Sequence, residues 1–275
     1  MKPRKYSLSI LLVLAIAAFA KAQAPQPAPA ADLDYQTAAV LYMQKAAEYR
    51  ALAYQAFNLA RWQLDADLDK KNVKKLPKAE RKMPRAIVVD IDETVLDNSP
   101  AQALGIKTST PYNPKDWYAW TNMRKAKAIP GAVEFLNYAA SKGVKVFYVS
   151  NRDETNEKLA TIENLKSVGF ADVSPENVFL RTAESSKDAR RAMVTARHRI
   201  VLLVGDNLDD FSSTFERKSI ADRFAEVDKV KDAWGKKFIM LPNAMYGTWE
   251  NAIYEYQRLT EAQKAEKRAA ALELP

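Results

Sequence analysis

The chain has 275 residues, 48% of them hydrophobic and 28% charged, which suits a packed domain with room for an insertion and excludes a disordered chain. It holds no cysteine and one histidine, His198; this excludes a thiol nucleophile, a thiolate zinc site, a disulfide framework, a lipidated cysteine and zinc hydrolysis by a histidine pair. Half of the net charge of +8 comes from Lys2, Arg4, Lys5 and Lys21, in an N-terminal stretch without acids, so the rest of the chain is only moderately basic.

That N-terminus has the layout of a secretory signal peptide over residues 1–22: a basic start, an apolar run over 8–20, and Ala20-Lys21-Ala22 as a small-x-small cleavage site. The apolar run falls short of the roughly 20 residues a transmembrane helix needs. Cleavage after Ala22 and a periplasmic or secreted product without a stable membrane anchor are therefore expected. Residues 23–33 form a Pro/Ala-rich linker. The helical spacing of Tyr35, Ala38, Tyr42, Ala46, Tyr49, Ala53, Phe57, Ala60 and Leu64 predicts one long helix over 34–65. A basic connector runs on to residue 85 through Lys70, Lys71, Lys74, Lys75, Lys78, Arg81 and Lys82. No aromatic pattern accompanies these charges, so they read as a solvated helix end and linker rather than a nucleic-acid site.

From residue 86 the pattern changes. Short apolar runs at 86–91, 144–149, 178–180, 200–204 and 238–241 alternate with helical stretches at 131–142, 154–168, 184–198 and 208–233. Buried strands alternating with helices indicate an α/β fold: a Rossmann-like parallel sheet flanked by helices on both faces. The core spans 86–275. An aromatic, proline-rich segment at about 95–130 shows neither a clear strand nor a long helix and reads as a cap insertion. Residues 248–270 read as a polar helix.

In such sheets ligands bind at the carboxyl ends of the strands. The first strand ends in Asp90-Ile91-Asp92-Glu93-Thr94, the second in Ser150-Asn151-Arg152, and the fourth runs into Gly205-Asp206-Asn207-Leu208-Asp209-Asp210, with Lys187 at the start of the preceding helix. Parallel strands bring all four groups to one edge. Several carboxylates in a small site raise one another's pKa unless a cation joins them, and a hard, oxygen-preferring ion such as Mg²⁺ suits a site that also holds phosphate. On an extended chain Asp90 and Asp92 point to one side. One carboxylate can attack phosphorus while the other moves protons. Ser150 offers a hydroxyl, and Lys187 a positive charge, to a phosphoryl group in transfer. Each motif alone is weak. An acidic strand end is often a turn or a helix cap, and a lone Ser or Lys is usually surface. The order of the full set is what carries the reading.

The strings DIDET, VSNR, Lys187 and GDNLDD resemble the four motifs of haloacid dehalogenase-like phosphatases. The whole chain is similar to class C acid phosphatases, through AEYRALAYQAFNLA (47–60), DIDETVLDNSP (90–100), KDWYAW (115–120), IPGAVEFLNY (129–138), VGDNLDDF (204–211) and FIMLPNAMYGTWE (238–250). The resemblance implies Asp90 as nucleophile and metal ligand. Asp92 becomes the acid/base, lending its backbone carbonyl to the metal; Asp206 is a direct ligand and Asp210 holds a metal-bound water. Ser150 and Lys187 grip the phosphate, with Asn151 beside them on the substrate side. It further implies nucleoside 5′-monophosphates and nicotinamide mononucleotide as substrates, Trp117 and Tyr246 as an aromatic clamp on the base, and a homodimer. One member of that group is an outer-membrane lipoprotein anchored by a lipidated cysteine, which this chain lacks. His198, between Arg197 and Arg199, reads as a packing or surface residue.

Three other readings compete: a non-catalytic binding or storage relative, a phosphoacceptor signalling module, and a phosphatase for sugar phosphates or phosphotyrosine. Retention of Asp90, Asp92, Lys187, Asp206 and Asp210 opposes the first; the signal peptide and the chain length oppose the second. The aromatic pair alone separates nucleotides from the third.

Overall fold

The computed structural model describes residues 32–275. The predicted signal peptide and most of the linker lie outside the described residues. A 3-10 turn at Asp34–Gln36 leads into helices α1 (Thr37–Lys45) and α2 (Ala47–Leu68). The single helix expected over 34–65 is therefore broken, at Ala46, where ψ is an extended 127°. Along α2, Ala53, Phe57, Ala60 and Leu64 are buried on one stripe, and the two alanines let the helix backbone lie close to the sheet. Helix α3 (Lys70–Val73) and a turn at Glu80–Lys82 carry the basic stretch with its lysines exposed.

Strand β1 (Arg85–Val89) opens the core. The insertion that follows is more regular than its sequence suggests. Strands β2 (Leu96–Asp97) and β3 (Lys127–Ala128) pair antiparallel and close off two helices, α4 (Ser99–Thr108) and α5 (Pro114–Asn122). Helix α4 stops at Ser109 in the left-handed region, φ 49°. Helix α5 starts where the Asn113 side chain accepts from the backbone N–H of Asp116 at 3.0 Å, with Pro114 in its first turn. The chain continues through α6 (Ala132–Ser141), β4 (Lys145–Asp153), α7 (Glu154–Ser167), β5 (Val178–Arg181), α8 (Asp188–Thr195) and β6 (Arg199–Gly205). In place of the helix expected over 208–233 there are three 3-10 turns and α9 (Ile220–Lys229). Strand β7 (Phe238–Met240) follows, and the expected C-terminal helix is split into α10 (Thr248–Ile253) and α11 (Glu261–Ala270). No helix among the described residues is long and apolar enough to cross a membrane.

The sheet is parallel, in the order β5-β4-β1-β6-β7. Side chains alternate between two buried layers, as a sheet covered on both faces requires. Ile87, Val89, Val146, Tyr148, Leu202 and Val204 join Phe57, Leu64, Phe135 and Leu136 on one side. Ala86, Val88, Phe147, Val149 and Leu203 meet Val194, Phe211 and Phe215 on the other. Each fully buried Leu, Ile or Phe here is worth about 1.5–3 kcal/mol over leaving it in water. The basic stretch of α3 leads into the amino end of β1. There Asp67, near the end of α2, accepts from Arg85 Nε at 2.7 Å and from both terminal nitrogens of Arg199, each at 2.7 Å. His198, just ahead of β6, packs edge-on against Phe147 with ring centroids 5.1 Å apart. The carboxyl ends of the strands are left to the site.

Candidate active site

Strand β1 delivers Asp90 to the middle of the sheet edge. Its backbone N–H donates to Val204 O at 2.9 Å, which extends the β1–β6 ladder by one residue, and the residue is only 7% exposed. The chain then turns sharply. Val95 and Leu96 donate back to Ile91 O at 2.9 and 2.8 Å, and Glu93 takes a left-handed φ of 57°, a strained conformation for a residue with a Cβ. The turn aims Thr94 Oγ1 at Asp206 Oδ1, 2.9 Å away, and leaves it 3.3 Å from Asp90 Oδ2.

Asp90, Asp206 and Asp210 offer carboxylate oxygens that all lie within 4.8 Å of one another. Asp206 is oriented by Thr94 on one oxygen and by Asn243 Nδ2, at 2.9 Å, on the other. Asp210 is fixed by a capping box: the N–H of Asn207 donates to its Oδ2 at 3.0 Å. Lys187 donates to Asp90, and to Asp210 at 2.6 Å. Burial and then the neighbouring carboxylates act on this group. Burial pushes Asp90 well above the ordinary carboxylate range; Lys187 pulls it down, and Asp210, Asp206 and Asp92 push it up again. Asp206 is pushed up to about 7, first by burial and then by Asp210, against the hydrogen bonds from Asn243 and Thr94. Burial pulls the pKa of Lys187 down, but Asp210 and Asp90 outweigh it and hold it above the usual lysine value.

Three carboxylates against one ammonium leave two negative charges in a buried site, and protons are drawn in to offset them. A divalent cation on the same oxygens would offset them instead. The donor set is all oxygen, which fits a hard ion. The residues present therefore fit the divalent metal that haloacid dehalogenase-type phosphatases use.

Asp92 lies on the other flank. Its carboxylate is not part of the three-carboxylate group. Arg152 Nη2 donates to its Oδ1 at 2.7 Å, and Arg152 Nε lies 3.0 and 3.2 Å from the two oxygens. Asn98 Nδ2 donates to Oδ1 at 2.8 Å, and Ser150 Oγ lies 3.3 Å from Oδ2. Ser150 is buried at the end of β4 and accepts from the Arg152 N–H at 3.1 Å.

The first turn of α8 ties the strand ends together. Lys187 caps it. Arg190 donates to Ser150 O, and to Asn151 Oδ1 at 2.6 Å. Arg191 donates to Asp210 O at 2.6 Å and Asp209 O at 3.2 Å. Asn151 thus reaches the cleft with its side-chain oxygen already engaged. Above the carboxylates opens a cleft of about 540 Å³, lined among others by Asp90, Asp92, Ser150, Lys187, Trp117 and Tyr246. Tyr112 extends the Trp117 wall, ring centroids 6.2 Å apart. Gln36 Nε2 donates to Met245 O at 3.1 Å, so the N-terminal segment braces the loop that carries Tyr246.

The candidate site residues Asp90, Asp92, Trp117, Ser150, Asn151, Lys187, Asp206, Asp210 and Tyr246 all line this cleft. Arg152, Asn98, Asn243, Arg190 and Arg191 were not singled out. Arg152 stands inside the VSNR string, Asn98 inside DIDETVLDNSP and Asn243 inside FIMLPNAMYGTWE, so proximity to a motif was the available signal; for the two α8 arginines there was none.

Comparison with known proteins agrees with this geometry. A model of the HAD superfamily, subfamily IIIB (Acid phosphatase), matches residues 9–249. Two solved structures of the class C acid phosphatase from Bacillus anthracis, one of them a crystal structure with tungstate bound, are similar at 43% sequence identity and a TM-score of 0.81, over 88% of this chain and 98% of theirs. The chain belongs to the HAD superfamily, subfamily IIIB acid phosphatases, and is a phosphomonoesterase.

Proposed function

We propose that this acid phosphatase is exported and Mg²⁺-dependent, and that it hydrolyses nucleoside 5′-monophosphates and nicotinamide mononucleotide through an aspartyl-phosphate on Asp90. The observation that carries the reading is a buried carboxylate at a strand end, shared between a lysine and two further carboxylates, under a cleft walled by Trp117 and Tyr246.

An Asp90 oxygen attacks phosphorus and the ester P–O bond breaks. Asp92 gives its proton to the leaving oxygen, so the product departs as an alcohol. Asp92, now ionised, takes a proton from water as that water attacks phosphorus; the bond to Asp90 breaks and inorganic phosphate leaves. Lys187 and Ser150 grip the phosphoryl oxygens throughout. Mg²⁺ held by Asp90, the Asp92 carbonyl and Asp206, with Asp210 steadying a bound water, would supply positive charge against those oxygens. Trp117 and Tyr246 sandwich the base, whichever it is. Export rests on the basic-apolar-small N-terminus. A homodimer follows from the resemblance, and sedimentation of the purified chain tests it.

The direct experiment takes the chain from residue 23 and measures phosphate release from nicotinamide mononucleotide, AMP and p-nitrophenyl phosphate. Each substrate is run with Mg²⁺, with EDTA, and with the Asp90→Asn variant. Release that needs the metal and vanishes in the variant is expected, with both nucleotides preferred. No release with any metal at any pH would overturn the catalytic reading; p-nitrophenyl phosphate far ahead of both nucleotides would overturn the substrate assignment.

A further inference from the structure

Arg152 is 2% exposed, yet it borders the cleft, so it could be a phosphate ligand. Its partners say otherwise. Nε and Nη2 both go to Asp92; Nη1 donates to Thr161 Oγ1 at 3.1 Å, and Nη2 also lies 3.4 Å from Asn98 Oδ1. Each of its nitrogens has a partner within the protein, and the planar fork fixes the carboxylate in both position and rotation. Asn98 grips the same Asp92 oxygen from the far side, at 2.8 Å. The orientation of the Asn98 amide is itself dictated: its Oδ1 accepts from Trp120 Nε1 at 2.8 Å, which leaves its Nδ2 facing Asp92. Trp120 lies on cap helix α5, three residues beyond Trp117, so one helix presents a ring to the cleft and an indole N–H to this chain of hydrogen bonds.

We propose that Arg152, backed by Asn98 and Trp120, is a positioning residue: it holds the Asp92 carboxylate where its proton can reach the leaving oxygen, and it ties that placement to the seating of the cap helix. The proposal rests on Asp92 being the proton donor. Misplacing a reacting group by about 1 Å costs on the order of 10²-fold. The loss falls where a proton must be delivered: on a sugar alkoxide, and hardly on p-nitrophenolate, which departs as a stable anion.

The test compares kcat/KM, which covers the steps through formation of the aspartyl-phosphate, for AMP and for p-nitrophenyl phosphate. The variants are Asp92→Asn, Arg152→Lys, Trp120→Phe, and each of the last two combined with Asp92→Asn. Arg152→Lys keeps the charge and loses the fork; Trp120→Phe keeps an aromatic ring and loses the N–H, and so stays informative if a buried arginine cannot be replaced without unfolding. With AMP, Arg152→Lys should lose about 100-fold and Trp120→Phe on the order of threefold. Both should lose far less with p-nitrophenyl phosphate, and neither should cost anything further once Asp92 is Asn. Equal losses on both substrates, or a rise in KM for both, beside a selective loss in Asp92→Asn, would overturn positioning by Arg152 and leave the Asp92 assignment standing. Equal losses in Asp92→Asn itself would overturn the proton-donor reading, and the positioning proposal with it.

Discussion

Gly205 ends β6 immediately before Asp206, and its missing side chain is occupied space. A Cβ placed there would lie 2.4 Å from Asp210 Oδ2, 2.5 Å from Asp210 Cβ and 2.8 Å from Asp210 Cγ, against ordinary contact from 3.4 Å. The aspartate cannot swing clear, because the N–H of Asn207 and Lys187 hold its two oxygens and because its own Cβ is among the clashing atoms. Gly205→Ala must therefore push the 3-10 turn at Leu208–Asp210 outward by most of an ångström. Overpacking of that size costs about 1–3 kcal/mol, and at about 2–4 °C per kcal/mol for a chain of this length it lowers Tm by roughly 2–12 °C. The function suffers more than the fold. Displacing a carboxylate that orients a metal site costs about 10- to 100-fold in metal affinity, so half-saturation by Mg²⁺ should rise by that factor in an activity titration, with kcat partly restored at high Mg²⁺. A Gly205→Ala enzyme with wild-type Tm and wild-type Mg²⁺ half-saturation would refute the close-approach reasoning.

Asp67→Asn weakens the tie between α2 and the sheet and should cost about 2 kcal/mol in urea unfolding near neutral pH, the usual worth of hydrogen bonds to a charged group. Burial opposes ionisation of Asp67, but the hydrogen bonds from Arg199 and Arg85 win and hold its pKa below 3.8. The unfolded chain thus binds the proton more readily, and this part of the stability is present above pH 3.8 and lost as the pH falls through the folded-state value. The wild type and the variant should converge in acid and diverge above it. Asn243→Ala removes one of the two donors that orient Asp206 and should raise Mg²⁺ half-saturation about tenfold, read by activity titration. Trp117→Ala and Tyr246→Ala each remove a stacking face worth about 1–3 kcal/mol; KM should rise steeply for AMP and stay flat for glycerol 2-phosphate, which has no ring to stack.

The strands of the five-stranded sheet were legible because each is a short apolar run of β-branched, aliphatic and aromatic residues set between helical stretches. The cap insertion was not. Its helices α4 and α5 are short, bounded by Asn98, Ser109 and Asn113, and span too few turns for their apolar residues, Leu104, Ile106, Trp117, Tyr118 and Trp120 among them, to show a stripe; the neighbouring elements stabilise them. The break at Ala46 defeats any reading by propensity, since alanine is the best helix former; the chain bends there because α1 and α2 pack on different elements. A helix over 208–233 failed because Asp209 and Asp210 are drawn to Thr248, Arg223, Asn207 and Lys187, partners up to 39 residues away. The same cause separates what could be found at the site from what could not. Asp90, Asp92, Ser150, Lys187 and Asp206 stand at strand ends or helix starts in recognisable strings. Arg152, Asn98, Trp120 and Asn243 act through side-chain contacts that only the folded chain brings together.

Those contacts fall into two groups on different supports. Asp206 and Asp210 are held by β6, the first turn of α8 and Asn243; Asp92 is held by β4 through Arg152, and by the cap through Asn98 and Trp120. Asp90 stands between the two groups; Arg190 of α8 does tie the two sets of supports together, through Ser150 O and Asn151 Oδ1 on β4, but it donates to none of the carboxylates of Asp92, Asp206 and Asp210. Substitutions on the two sides should therefore change different observables and combine additively. Gly205→Ala or Asn243→Ala should shift Mg²⁺ half-saturation without altering the AMP to p-nitrophenyl phosphate ratio at saturating metal. Trp120→Phe should alter that ratio and leave the half-saturation in place. The Asn243→Ala, Trp120→Phe double variant should then show both changes at their single-variant sizes, within about 0.5 kcal/mol. A larger coupling would mean that the two flanks move as one body, with Asp90 transmitting displacement across the site.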